Sequence, residues 1–184
     1  EAGYWNALSV ARGDIGQWKE KIQAAKKAVE IQPKNAVFNN NLAWDLVSSP
    51  DPQLRDPQYA VKLAKFAVAH NPDDGMYWNT LGIAHYRAGE WRDAIKAFDK
   101  SNELFDGDKS SFFLAMAYWQ LGEKAEAAKW YDRSVAWMKK NYPENETLKR
   151  FHAEATELMK TGETKAPTST PGMRPHPTSS RSAR

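Results

Sequence analysis

The chain repeats itself at an interval of 33 residues, and this constrains its fold more than any other feature. The stretch "LGIAHYRAGEWRDAIKAF" at 81–98 aligns with "LAMAYWQLGEKAEAAKWY" at 114–131. The aligned positions keep leucine, alanine, glycine and an aromatic residue in the same places. A period of this length is typical of a small helical or β unit that stacks on copies of itself.

Two earlier copies can be read with the same spacing. The first copy starts at Trp5 and closes at Pro33. The second is split, with its two halves at 39–47 and 59–72. The proline-containing stretch "SSPDPQLRDPQ" at 48–58 separates these halves, an insertion of about five residues relative to the other units. The sequence therefore predicts four repeats, at about 2–34, 35–73, 75–107 and 108–141.

Each copy has the pattern of two amphipathic helices. Alanine, leucine and aromatic residues recur at three- and four-residue spacing, with charged residues between them. Gly16, Gly89 and Gly122 fall between the paired helices, where a left-handed backbone is easiest for glycine. Pro33 and Pro72 follow the second helices and stop them. The predicted helices span 3–14, 17–31, 35–48, 57–70, 75–88, 91–104, 109–121, 124–141 and 144–160.

Small residues in the apolar helices predict close helix crossings. Gly82 lies inside one helix of the third unit and Ala94 inside the other. A glycine in a helix interior costs about 1 kcal/mol relative to alanine. We expect a large side chain, Phe98 or Trp78, to fill the space that Gly82 leaves.

The chain changes character after the fourth copy. The segment at 144–160 has apolar residues on one face only, which predicts a terminal helix that covers the last repeat and turns its other face to water. The stretch at 161–184 is rich in Pro, Ser, Thr and Arg, and it has too few apolar residues to form a core. We therefore expect a folded domain at 1–160 and a flexible tail at 161–184.

These residues resemble the tetratricopeptide repeats. The signature in the third unit is Trp78, Leu81, Gly82, Gly89, Ala94 and Phe98. The chain departs from the family's pattern in the first unit, where Ser9 and Lys21 replace small residues, and in the third, where Asp106 replaces a closing proline. The resemblance implies an all-α fold, a right-handed superhelix of four helical hairpins with a C-terminal capping helix. Residues 42–138 also resemble the repeat arrays that end large signalling proteins of planctomycete-type bacteria.

The family lines its concave groove with the first helix of each hairpin. Residues on that face recur at three- and four-residue steps, and asparagine side chains there could bond the backbone of an extended peptide. Aromatic side chains are typical anchors of protein interfaces. The resemblance therefore implies a groove for a peptide or partner segment, lined by Asn6, Asn40, Asn41, Trp44, Asn79, Thr80, Ile83, Tyr86, Arg87, Phe112, Met116, Trp119 and Gln120.

One class of ligand that the family binds does not match the residues of this chain. Chaperone-binding members hold a C-terminal carboxylate with lysine, arginine and asparagine side chains. The equivalent positions here are Asn6, Val10, Asn41, Met76 and Thr80, of which only Asn41 matches. Without the cations there is little to hold a carboxylate, so the C-terminal carboxylate of a chaperone is not the expected partner.

The sequence offers no pattern for catalysis, a cofactor or a metal ion. No two of His70, His85, His152 and His176 have the spacing of a helical metal pair. We interpret His85 as a packing or groove-lining residue. There is no glycine-rich phosphate loop, and no apolar run is long enough to span a membrane. We expect no catalytic residues, no cofactor and no membrane partner.

Charge argues against a nucleic-acid partner. The net charge of +3 comes entirely from the tail, and the rest of the chain is neutral. The expected function is therefore a protein–protein interaction module, a scaffold or adaptor. The alternative is a regulatory or substrate-docking segment of a larger bacterial signalling enzyme, such as a Ser/Thr protein kinase. The absence of cysteine allows a cytoplasmic location, and the start at Glu1 suggests a fragment of a longer protein.

Overall fold

The regular secondary structure of the described residues is helical. The computed structural model describes residues 1–104, 111–162 and 164, and no β-strand occurs among them. Every helix begins and ends within two residues of the predicted positions. The helices are α1 (Ala2–Asp14), α2 (Trp18–Ile31), α3 (Ala36–Ser48), α4 (Pro57–His70), α5 (Gly75–Arg87), α6 (Trp91–Leu104), α7 (Ser111–Gln120), α8 (Lys124–Asn141) and α9 (Glu146–Thr161).

Local sequence signals account for where the helices start and where the hairpins turn. The Asn35 side chain accepts a hydrogen bond from the Phe38 amide, and the Asn145 side chain does the same for Leu148. Gly16, Gly89 and Gly122 have φ angles of 73°, 78° and 82°, in the left-handed region. The prediction of left-handed glycines at the hairpin turns is therefore confirmed.

The helices pack as consecutive hairpins in two layers. Each odd-numbered helix from α1 to α7 packs on the helix that follows it, and α2, α4 and α6 pack on the next hairpin. The first helices α3, α5 and α7 also contact one another and form an inner layer, while α4 and α6 form the outer wall. A Cβ atom at position 82 would lie 2.4 Å from Cε1 of Phe98. This confirms that Gly82 marks a close crossing whose space is filled by Phe98.

The two unusual residues of the first repeat take part in a buried polar cluster. Lys21 Nζ lies 3.0 Å from a carboxylate oxygen of Asp45 on α3, and the Ser9 hydroxyl donates to the other oxygen at 3.2 Å. The Asp45 side chain is buried. Burial raises its pKa above the usual carboxyl value of 3.8, and attraction to Lys21 opposes this shift without cancelling it. Polar contacts thus join the first two hairpins where other repeats use small apolar residues.

The last helix does more than cover the last repeat, which corrects the expectation from its sequence. Arg150 donates to the carbonyl of Ser48 at the end of α3. Phe151 packs edge-on against Phe113 of α7, with ring centroids 4.7 Å apart, and also against Trp44 of α3 at 6.3 Å. The apolar face of α9 finds its partners on the inner layer, because these aromatic rings would otherwise be exposed to water.

Glu154 links the C-terminal half of α9 to the third repeat through an ion pair. Both terminal nitrogens of Arg87, at the end of α5, donate to its carboxylate, one of them at 2.7 Å. Together with the contacts of Arg150 and Phe151, this pair places α9 across the inner faces of α3, α5 and α7. The concave surface expected from the sequence is therefore partly occupied by the protein's own last helix.

Two sequence-based expectations fall on residues that the structure does not describe. Asp106 lies outside the described residues, and so does nearly all of the tail expected at 161–184. No helix in the described part of the chain is both long and apolar enough to cross a bilayer.

Candidate functional site

The last helix divides the concave surface into two clefts. The amide cleft, of about 480 Å³, lies towards the start of α9. It is lined by Asn40, Asn41, Trp44, Met76, Asn79, Thr80, Trp137, Tyr142, Asn145, Thr147, Leu148 and Phe151. The arginine cleft, of about 800 Å³, lies towards the end of α9. It is lined by Pro52, Arg55, Pro57, Tyr86, Arg87, Ala88, Gly89, Trp91, Gln120, Glu154, Glu157, Leu158 and Thr161.

Two carboxamides at equivalent repeat positions define the amide cleft. Asn40 is the fifth residue of α3, and Asn79 is the fifth residue of α5. Their exposed fractions are only 9% and 6%. The Oδ1 atom of each is buried and has no hydrogen-bond partner in the part of the chain that the structure describes. Because buried polar atoms are nearly always paired, two unpaired oxygens on one wall are a signal of binding.

The other walls of the amide cleft are aromatic or already hydrogen-bonded. Trp44, Trp137 and Tyr142 supply large rings, and Trp137 and Tyr142 contact each other with centroids 5.3 Å apart. The hydroxyl of Thr80 donates to the carbonyl of Met76 at 3.1 Å. No residue that lines this cleft is Asp, Glu, Lys or Arg. The cleft therefore combines apolar contact with unused amide hydrogen bonding, and it offers no charge.

The arginine cleft, in contrast to the amide cleft, is lined by charged residues. Arg55, from the insertion between α3 and α4, donates through Nε to the carbonyl of Ser49 at 2.8 Å. Both terminal nitrogens of Arg87 donate hydrogen bonds to Glu154, but its buried Nε has no partner among residues 1–104, 111–162 and 164. Burial lowers the pKa of Arg55, and repulsion from Arg87 and Arg150 adds to the shift.

Tyr86 forms the deep wall of the arginine cleft. Its ring packs against Phe113 with centroids 5.4 Å apart. Burial raises the pKa of the hydroxyl well above its usual range, the negative charge of Glu154 raises it further, and a hydrogen bond with Gln120 acts in the opposite direction. The hydroxyl therefore stays neutral over the physiological range.

The structure distributes the predicted groove residues unevenly. Five line the amide cleft and three line the arginine cleft. Asn6 lies in a small neighbouring recess, where its side-chain oxygen accepts from Asn41 at 3.0 Å. The five are Asn40, Asn41, Trp44, Asn79 and Thr80, and the three are Tyr86, Arg87 and Gln120.

The four remaining predicted groove residues line neither cleft and do not line this recess. Ile83 and Met116 are buried in the core, with exposed fractions of 1% and 0%. Phe112 is buried beside the His152 ring of α9 at 5.4 Å. Trp119 is covered by the Lys124 ammonium, 3.2 Å from its ring centroid. Ile83, Phe112 and Met116 are covered by neighbouring helices, whereas Trp119 is only half-buried.

The sequence alone did not predict the cleft residues that lie outside the first helices of the hairpins. Arg55 belongs to the insertion, Trp137 and Tyr142 to the end of α8, and Glu154 to α9. One available signal was the apolar face of α9, because such a face requires an apolar surface to cover it.

The described residues show the partner of His85 and how the other histidines and carboxylates are arranged. His85 is buried, and its Nδ1 pairs with a carboxylate oxygen of Glu90 across the hairpin turn. The histidines and carboxylates of residues 1–104, 111–162 and 164 form no cluster that could hold a metal ion.

Comparison with known proteins assigns the family. The model of the tetratricopeptide repeat matches residues 53–109 and 106–146, about half of the chain. The chain belongs to the tetratricopeptide repeat family. Repeat arrays of this family act as scaffolds for protein–protein interaction, and this tetratricopeptide repeat protein has the fold for that role.

One curated protein is similar in sequence, and solved structures are similar in fold. Protein FlbA of Caulobacter vibrioides is 26% identical over 188 aligned residues, which cover 86% of this chain and 31% of FlbA. This tetratricopeptide repeat chain thus spans about a third of the curated relative it matches. A structure titled "MamA MSR-1 C2" superposes with a TM-score of 0.58 at 20% identity, covering 89% of this chain and 79% of its own. A crystal structure of MamA protein gives 0.59 at 18% identity, covering 88% and 89%.

Proposed function

We propose that this protein binds an extended, uncharged segment of a partner protein in the amide cleft. The observation that carries the proposal is the pair of buried carboxamides of Asn40 and Asn79, at equivalent positions of adjacent repeats, whose Oδ1 atoms have no partner among the described residues. A peptide backbone presents one donor and one acceptor per residue. A carboxamide has both a donor and an acceptor, so it complements a peptide unit.

The energetics favour a ligand that supplies hydrogen bonds at these atoms. A buried polar group without a partner costs about 1–3 kcal/mol. A bound peptide would remove this cost at Asn40 and again at Asn79. Successive first helices would then contact successive stretches of the peptide.

The walls of the cleft define which side chains that peptide should carry. Trp44, Trp137 and Tyr142 offer apolar and aromatic contact, and Tyr142 and Met76 remain largely exposed at the mouth. Because no charged residue lines the cleft, it does not compensate a charged ligand group for lost hydration. We therefore expect apolar or small polar side chains, and binding that depends little on salt.

The test uses peptides selected from a random library displayed on phage against the full chain. Affinities of the selected peptides are then measured by fluorescence polarisation for the wild type, Asn79→Ala and the matched control Asn102→Ala. Asn102 lies on the outer helix α6 and lines neither cleft. We expect Asn79→Ala to weaken binding by about 1 kcal/mol or more, and Asn102→Ala to leave it unchanged.

Two results would contradict the proposal. In one, the selected peptides bind Asn79→Ala as tightly as the wild type. In the other, the selection yields mainly charged peptides whose affinity falls steeply with salt. Circular dichroism of each variant confirms that the fold is retained.

A further inference from the structure

We infer that the arginine cleft is a second binding site, which takes an anionic side chain from a segment of a partner protein. This inference goes beyond the amide cleft and does not depend on it. It rests on the placement of Arg55 by the insertion, on an unpaired buried atom of Arg87, and on the charges gathered around Glu154.

Arg55 is fixed in position but keeps its recognition atoms free. Its Nε is bound to the carbonyl of Ser49, which orients the guanidinium group. Within the described residues no hydrogen bond or ion pair uses its terminal nitrogens, although the residue lines the cleft. Two parallel N–H groups on one guanidinium match the two oxygens of a carboxylate or phosphoryl group.

Arg87 supplies the second, independent signal. Its side chain is only 10% exposed, and it lines the cleft. Glu154 satisfies its terminal nitrogens, but its buried Nε has no partner. An unpaired N–H on a buried cation is a costly feature, and an oxyanion that reaches this atom from the cleft would remove the cost.

The balance of charge around the cleft also favours an anion. The guanidinium groups of Arg55, Arg87 and Arg150 interact electrostatically with one another and share one close carboxylate, that of Glu154. Glu157 also lines the cleft, and Asp51 interacts electrostatically with Arg55, but both carboxylates are exposed and therefore screened by water. The partly buried centre of the cleft thus has more positive than negative charge.

The walls point to a side chain of a protein segment. Pro52, Pro57 and Leu158 surround the arginines with apolar surface, and Trp91 forms a buried part of the wall. A volume of about 800 Å³ exceeds what one small anion needs. An acidic residue flanked by apolar residues would fill both parts of the cleft.

The experiment follows the arginine Nε–Hε signals of the full chain by ¹H–¹⁵N NMR. The probe is a blocked peptide of alternating proline, glutamate and leucine, compared with the same peptide carrying glutamine for glutamate, and with inorganic phosphate alone. We expect saturable shifts of the Arg55 and Arg87 signals with the glutamate peptide. The glutamine peptide should bind at least about tenfold more weakly, as expected for the loss of a charge-assisted bond.

Variants separate this site from general charge effects. Arg55→Gln should weaken glutamate-peptide binding about tenfold, and Arg55→Lys should restore part of it by keeping the charge. Arg92→Gln removes an exposed arginine of α6 that does not line the cleft. This variant should bind the glutamate peptide as tightly as the wild type. Asn79→Ala should also leave this binding intact, so failure here and failure at the amide cleft can be distinguished.

Several outcomes would overturn the inference. The glutamine peptide could bind as well as the glutamate peptide, or Arg92→Gln could weaken binding as much as Arg55→Gln. Equal affinity for phosphate alone would show a small-anion site and would rule out recognition of a protein segment. The backbone spectrum of each variant, recorded in the same experiment, confirms that the fold is intact.

Discussion

Gly82 shows how one residue sets the distance between two helices. A Cβ atom there would lie 2.4 Å from the ring of Phe98, which is fully buried and cannot move away easily. We predict that Gly82→Ala destabilises the protein by about 1–3 kcal/mol through overpacking. The cost of overpacking outweighs the gain of about 1 kcal/mol in helix propensity. Thermal or urea unfolding measures the net change in the free energy of unfolding.

A second glycine provides the control for this prediction. Gly3 lies in α1, and a Cβ atom there would have no neighbour within 4 Å. Gly3→Ala should therefore leave stability unchanged or raise it, because helix propensity acts alone. If Gly82→Ala raised stability by the same amount as Gly3→Ala, the crossing would not be closely packed.

Asp45 should give the stability of the protein a dependence on pH. Its pKa in the folded state is raised by burial above 3.8, so the folded protein holds the proton more tightly than the unfolded chain does. The contribution of this carboxyl to stability is therefore full below pH 3.8. It is lost as the pH rises through the raised pKa of the folded state.

The variant Asp45→Asn tests the sign of this effect. We predict that the stability of the wild type relative to Asp45→Asn falls as the pH rises from below 3.8 towards neutrality. Urea unfolding of both proteins at a series of pH values gives the difference directly. A difference that grows with pH would mean that attraction to Lys21 outweighs the burial of the charge.

Among the elements, α9 depends most on contacts far away in sequence. Phe151 is its main apolar contact with the inner layer, touching Trp44 and Phe113. We predict that Phe151→Ala loosens α9 from the concave surface, since truncation of a buried phenylalanine costs about 3–5 kcal/mol. Hydrogen exchange should show loss of protection in α9 while α3 to α6 remain protected.

Lys160→Ala is the matched control on the same helix. Lys160 is exposed, and alanine is a good helix former, so protection of α9 should be unchanged. If Phe151→Ala also left the protection of α9 intact, the polar contacts of Arg150 and Glu154 alone would be sufficient to dock the helix.

On the scale of the whole molecule, α9 makes the repeats interdependent. In a simple repeat array each unit contacts only its neighbours, and cooperativity is limited to them. Here the Arg150 contact with Ser48 joins residues 102 positions apart, and Glu154 reaches Arg87. We expect the second to fourth repeats to unfold as one unit in the wild type.

The double variant Phe151→Ala/Glu154→Ala should weaken this coupling. We predict that its unfolding transition becomes broader, and that tryptophan fluorescence and circular dichroism no longer give the same midpoint in urea. The wild type should give coincident transitions with both probes. Coincident transitions in the double variant would show that contacts between neighbouring repeats alone are sufficient for cooperativity.

The sequence by itself determined the secondary structure and the repeat architecture. The 33-residue period and the turn glycines depend on local backbone conformation and on the side-chain spacing of single helices, and both can be read from neighbouring letters. For the same reason the helix bounds agree within two residues. The Gly82–Phe98 contact was also predictable, because the two positions belong to one hairpin.

Only the tertiary structure decided which parts of the concave surface remain open. Asn40 and Asn79 were predictable as groove residues, whereas their lack of hydrogen-bond partners depends on everything packed around them. The docking of α9 joins surfaces a hundred residues apart, and a one-sided apolar helix does not specify which apolar surface covers it. Arg55 lines the arginine cleft because the fold brings the insertion beside the end of α9.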